Sequence, residues 1–126
     1  MQDDTSALLA VRPGPLRDAL RVLMSTIPRI GIVQEARDAP SMLDMVIEHH
    51  PALVLLEAGL PGGGGWSAID RIKAIWPDAL FLVLADTCQE KRLARAAHAD
   101  AVLLKGLPPA ELVEAIEGLL PGHRGE

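Results

Sequence analysis

Apolar runs of strand length alternate with stretches of helical period five times along the chain, with short turns rich in proline and glycine between them. Ala7 to Val11 (ALLAV) is the first run, ended by Arg12-Pro13-Gly14-Pro15. From Pro15 the residues Leu16, Ala19, Leu20, Leu23, Met24 and Ile27 recur at helical spacing, with proline at the first turn where its missing N–H costs little. Ile30 to Ala36 is the second run. A helix over Ser41 to His49 follows, with Ser41 and Asp44 as its expected capping pair, and it ends before Pro51. Ala52 to Glu57 is the third strand and leads into a turn with glycine at 62 to 65. Trp66, Ile69, Ile72 and Trp76 space out a third helix, and Ala79 to Ala85 is a strand apolar throughout, as expected of one covered on both faces. A helix over Thr87 to His98 has Leu93 as its only large apolar anchor. Ala101 to Leu104 and a helix on Leu112, Ala115, Ile116 and Leu119 complete the pattern.

Strand and helix in strict alternation specify an α/β sheet with helices on both faces. Right-handed crossovers leave few topologies, and the commonest for five strands is the flavodoxin-like order 2-1-3-4-5, a three-layer sandwich of five parallel strands and five helices. Residues 1–126 are expected to form one domain with its core at about 7–120. The loops after Val11, Glu57, Ala85 and Leu104 then share one edge of the sheet, where open α/β sheets place their sites.

Charge and composition narrow the function. Seventeen acidic against twelve basic residues give a net charge of −5, which repels phosphate backbones, so direct nucleic-acid binding by this chain is not expected. A single cysteine, Cys88, allows no internal disulfide, the acidic start MQDDTSALLAV is unlike a signal peptide, and no apolar run reaches the ~18 residues of a membrane span. A cytoplasmic protein without membrane contact is the expectation. The glycine run lacks the Lys and Ser/Thr that follow in a phosphate-binding loop, because Trp66-Ser67-Ala68 comes next. The loop RPGPL offers two prolines and no hydroxyl, against FMN. His49, His50, His98 and His123 show no metal-ligand spacing, so no metal and no cofactor is expected. Cys88 is expected as a buried or half-buried thiol, and Trp66 and Trp76 as core residues. No acid–base or nucleophile–base pair recommends an enzyme.

The segments LLAVRPGPLRDALRVLM, PALVLLEAGLPGGGGWSAI and ADAVLLKGLPPAELVEAI resemble the receiver domains of two-component response regulators, from about Ala7 to Leu119. The last block is most similar to receivers of regulators that carry a C-terminal helix-turn-helix. The resemblance implies an acidic pair after strand one and an aspartate ending strand three that bind Mg²⁺. It further implies that this aspartate accepts a phosphoryl group, with a Ser/Thr after strand four and a lysine after strand five touching the phosphate.

Position by position, the acidic pair falls on Val11 and Arg12 and the phosphoacceptor on Glu57, the glutamate being longer by one bond of about 1.5 Å. Misplacement of that order can cost a positioned reaction ~100-fold. The hydroxyl position falls on Ala85, with Thr87 a weak substitute, and the switch aromatic of strand five on Val102. Lys105 alone matches. The expectation is a degenerate receiver in which Arg12, Glu57 and Lys105 form an ion cluster in place of metal and phosphate, acting through a protein partner, a C-terminal effector domain or a homodimer. Lys91, Arg92 and Arg95 against Glu111, Glu114 and Glu117 are the charges expected at such a self-contact. The competing expectation is a receiver that still takes phosphate, at Glu57 or by a noncanonical route, and regulates a C-terminal DNA-binding effector.

Overall fold

The structure is a computed structural model and describes residues 5–60 and 65–120, without the side chains of residues 65–67. The sequence features at Asp3-Asp4, at glycines 62–64, at the Trp66 side chain and at 121–126 with His123 lie outside the described residues. The elements follow in the order β1 (Thr5–Ala10), α1 (Pro15–Ser25), β2 (Ile30–Ala36), α2 (Ala39–His49), β3 (Leu53–Glu57), α3 (Gly65–Ile75), β4 (Leu80–Ala85), α4 (Cys88–Ala96), β5 (Ala101–Leu104) and α5 (Pro109–Leu119). The strands form one parallel sheet in the order β2-β1-β3-β4-β5.

Strand alternation sorts the core into two halves. Leu8, Ala10, Val54, Leu56, Phe81 and Val83 pack against α2, α3 and α4 through Met42, Val46, Ile69, Ile72 and Ala94. Ala7, Leu9, Leu53, Leu55, Leu82 and Leu84 pack against α1 and α5 through Leu20, Met24, Leu112 and Ile116. The central strand β3 is buried at every residue, as a strand covered on both faces requires.

Several local details differ from the sequence expectation. β1 runs from Thr5 to Ala10, and Val11, although fully buried, donates its N–H to the Ala36 carbonyl just past the strand end. α2 starts at Ala39 because Asp38 is its cap: the carboxylate accepts the Ser41 N–H at 2.9 Å, so Ser41 is the capped residue and not the cap. α4 ends at Ala96, and His98 beyond it takes the left-handed region at φ 72°. Leu93 does not anchor α4, since it is 46% exposed while Ala94 is fully buried; an alanine lets a short helix approach the sheet closely, and Leu93 falls on the outer face. Cys88, first residue of α4, is exposed where a buried or half-buried thiol is expected, because that turn faces solvent. Trp76 is half-buried and stacks on His50, ring centroids 4.3 Å apart.

Candidate functional site

β3 ends in Glu57, and the register pairs it with Leu84 of β4 while its neighbour Leu56 pairs with Ala10 of β1. The loops after β1, β3, β4 and β5 therefore meet around one carboxylate that is only 4% exposed. A carboxylate so buried must be paired or protonated. Arg12 supplies three donors: its backbone N–H at 3.0 Å and Nε at 3.3 Å to Oε1, and Nη2 at 3.0 Å to Oε2. Lys105 donates from Nζ to Oε2 at 2.8 Å.

Each cation is fixed by backbone just outside a strand. Val11 N–H to Ala36 C=O holds the chain that carries Arg12, and Lys105 N–H to Ala85 C=O at 2.8 Å sets the start of the β5–α5 loop. Lys105 is half-buried, and its Nζ also lies 3.2 Å from Oδ1 of Asp86, on the loop after β4. The structure thus joins Arg12, Glu57 and Lys105 and adds Asp86, which the sequence reading missed; the available signal was an acid directly after the strand end at Ala85.

Burial alone raises the Glu57 pKa, but the side-chain hydrogen bonds from Arg12 and Lys105 and the Arg12 N–H outweigh it and lower the carboxyl from 4.5 to about 2. Burial lowers the Lys105 pKa, yet its hydrogen bonds to Glu57 and Asp86 leave it raised overall. The Arg12 guanidinium is raised further by its hydrogen bond to Glu57. At neutral pH all three groups are charged.

Ala85 closes β4 fully buried among the residues that face α2 and α4, and it brings no hydroxyl to the cluster. The Thr87 hydroxyl is committed elsewhere, accepting the Glu90 N–H at 3.1 Å as the cap of α4. Val102, buried on β5, stands where a switch aromatic would. A divalent metal needs several oxygen ligands, whereas both oxygens of Glu57 face cations and Val11 and Arg12 supply no carboxylate, so these residues do not fit Mg²⁺. Among the described residues no group of three or more His, Cys, Asp or Glu side chains is placed to hold a metal ion.

The five-stranded order, the acid at the end of β3 and the lysine after β5 are joined by a sequence match: the model of the response regulator receiver domain matches residues 15–117. The chain belongs to that family. This receiver domain is 26% identical over 124 residues to the nitrate/nitrite response regulator protein NarL of Escherichia coli (strain K12), covering 97% of this chain and 57% of NarL. It is 32% identical over 101 residues to the uncharacterized transcriptional regulatory protein YhcZ of Bacillus subtilis (strain 168), covering 79% of this chain and 47% of YhcZ. The chain therefore spans about half the length of these relatives. A two-component response regulator of the LuxR family from Aurantimonas sp. SI85-9A1 superposes with a TM-score of 0.85 at 30% identity, over 94% of this chain and 86% of that one. The fold is likewise that of a CheY-like receiver domain protein from Methanospirillum hungatei JF-1, with a TM-score of 0.84 at 18% identity over 97% of this chain and 98% of the other. No helix among the described residues is long and apolar enough to cross a membrane.

Proposed function

We propose that this receiver domain works without phosphorylation, as a non-catalytic regulatory module that acts through protein contacts. The observation that carries the proposal is the engagement of both Glu57 oxygens by Arg12 and Lys105. In this reading the guanidinium supplies the positive charge that a metal would bring, and the Glu57–Lys105–Asp86 chain ties β3 to the loop after β4 as a bound phosphate would. One state is held rather than two exchanged. Alanine at 85, which has no hydroxyl, and the capping of α4 by the Thr87 hydroxyl support it.

Incubation with acetyl phosphate and Mg²⁺ followed by intact-mass measurement tests the proposal. The expected outcome is an unchanged mass, and no fluoride-dependent complex with beryllium. A Mg²⁺-dependent phosphoryl adduct on Glu57 overturns it and favours the competing account, a receiver still switched by phosphate.

The partners follow from the relatives, whose names describe a response regulator and a transcriptional regulatory protein about twice the length of this chain. In the proposal this domain is the regulatory portion of such a protein, contacting an effector domain or a second copy, and the nucleic acid is left to other segments. For the second copy, α4 presents Lys91, Arg92 and Arg95 and α5 presents Glu111, Glu114 and Glu117, none in an ion pair among the described residues, beside exposed Leu93 and Leu104. If that face self-associates, Arg95→Glu yields a monomer by sedimentation with unchanged melting temperature; a dimer that survives the substitution removes α4 from the contact.

A further inference from the structure

α2 and α3 lie side by side on one face of the sheet, Met42 and Val46 of the first and Ile69 and Ile72 of the second entering the same core layer. Each joins two parallel strands, so the two helices run in the same direction. Their outward sides meet over Ile47, 49% exposed, and Ile75, 61% exposed. These isoleucines line one crevice with Val46, His50, Ile72 and Trp76, and it holds only about 10 Å³. Small-molecule sites enclose roughly 300–1,000 Å³, so this is a ridge for another surface and not a ligand pocket. The stack of Trp76 on His50 fixes its C-terminal end.

The charges beside the ridge decide what covers it. Asp44 precedes Ile47 by three residues and Arg71 precedes Ile75 by four, so each charge sits one turn along the same helix face as its isoleucine. At 1.5 Å per residue they stand about 4.5 and 6 Å from the isoleucines along the helices, at nearly one level. Both are exposed, and neither makes an ion pair among the described residues. Glu48 is turned about 100° from Ile47 and lies 3.7 Å from Nε2 of His49. One helix thus carries an acid and an isoleucine, and its neighbour a base and an isoleucine. A partner of one charge sign would be drawn to one helix and repelled by the other. A second copy, turned by a twofold axis along the helices, sets α2 on α3 of its neighbour. Asp44 then faces the partner's Arg71 and Ile47 the partner's Ile75, each contact made twice. We propose that the α2–α3 ridge is a homodimer face, with the isoleucines in contact and two Asp44–Arg71 ion pairs one turn away. It gives the second copy of the proposed function a face, and it fails separately from that reading, because labelling by acetyl phosphate does not depend on a dimer.

Sedimentation velocity on the whole chain across a concentration series tests the proposal. A concentration-dependent dimer is expected, and Ile75→Glu, at an exposed position, is expected to leave a monomer. Its melting temperature, read at a dilution where the wild type is also monomeric, is expected to be unchanged. Asp44→Arg and Arg71→Asp are each expected to raise the dimer Kd by about tenfold or more, because like charges then face each other. The two together are expected to restore a Kd near the wild-type value, since both pairs re-form with their signs exchanged; residues that served only the monomer's stability would give no such rescue. A wild-type chain that stays monomeric at every concentration overturns the proposal and leaves the ridge to an unlike partner. A dimer that survives Ile75→Glu also overturns it, as does one that Arg95→Glu splits while Ile75→Glu does not, because the contact then lies elsewhere. A double variant that dimerises no more tightly than either single one overturns it as well.

Discussion

Lys105 and Arg12 hold the same carboxylate from different surroundings, and their worth differs accordingly. The Lys105 side chain is 21% exposed and that of Arg12 is 52% exposed. Water screens an exposed pair, whereas removing a half-buried partner leaves a buried charge short of a donor. Lys105→Ala is therefore expected to destabilise by roughly 1.5–3 kcal/mol in urea unfolding, the scale of a hydrogen bond to a charged group. Arg12→Ala is expected to cost less, since its backbone N–H still reaches Oε1. The reverse order would show that the guanidinium, not the ammonium, carries the cluster. Glu57 also sets a pH dependence. Its folded pKa of about 2 lies below the ordinary 4.5, so its contribution is complete above about pH 4.5 and fades as pH falls toward 2. At about 1.4 kcal/mol per unit this is roughly 3 kcal/mol. The stability gap between wild type and Glu57→Gln is expected to narrow across that window, and a gap constant from pH 7 to pH 3 would count against the cluster.

Among the elements, α2 shows a cap setting where a helix begins, and α4 shows a small residue, Ala94, facing the core in place of a larger one. Asp38 caps α2 through the Ser41 N–H, and its pKa is lowered by the Ser41 hydroxyl and N–H. Asp38→Ala is expected to cost ~1 kcal/mol and Asp44→Ala, on the exposed face, to leave the urea midpoint nearly unchanged. Equal effects would restore Ser41 and Asp44 as the capping pair. The expectation from sequence went to Ser41 because a serine opens the apolar periodicity, but Asp38 precedes a proline at 40, which is tolerated in the first helical turn and lets the helix begin earlier. α4 misled for a related reason. Leucine is the larger hydrophobe, yet the rotation of α4 on the sheet turns Ala94 inward and Leu93, one residue and about 100° away, outward.

At the scale of the whole molecule the sheet divides two apolar layers, and Phe81 is the one phenylalanine of the chain, fully buried in the layer under α2, α3 and α4. Phe81→Ala is expected to cost ~3–5 kcal/mol in urea unfolding. A ligand that binds only the folded state raises stability by mass action, so the melting temperature is expected to stay unchanged when Mg²⁺ and beryllofluoride are added together; a rise would mean that the site still accepts metal and phosphate chemistry. What the sequence by itself determined is the alternation of strand and helix, the strand order that right-handed crossovers then favour, and the delivery of Glu57 to the end of a central strand. Those depend on local period and chain direction, which every segment carries within itself. The resemblance to receivers further placed Arg12 and Lys105 on loops near Glu57. Only the tertiary structure decided that Arg12 binds through backbone and side chain together, that Asp86 shares Lys105, and that α1 and α5 stand apart over an apolar cleft. Glu57 lies 45 residues from Arg12 and 48 from Lys105, and contacts over such separations follow from the sheet bringing four loops to one edge and from how closely each helix settles on it.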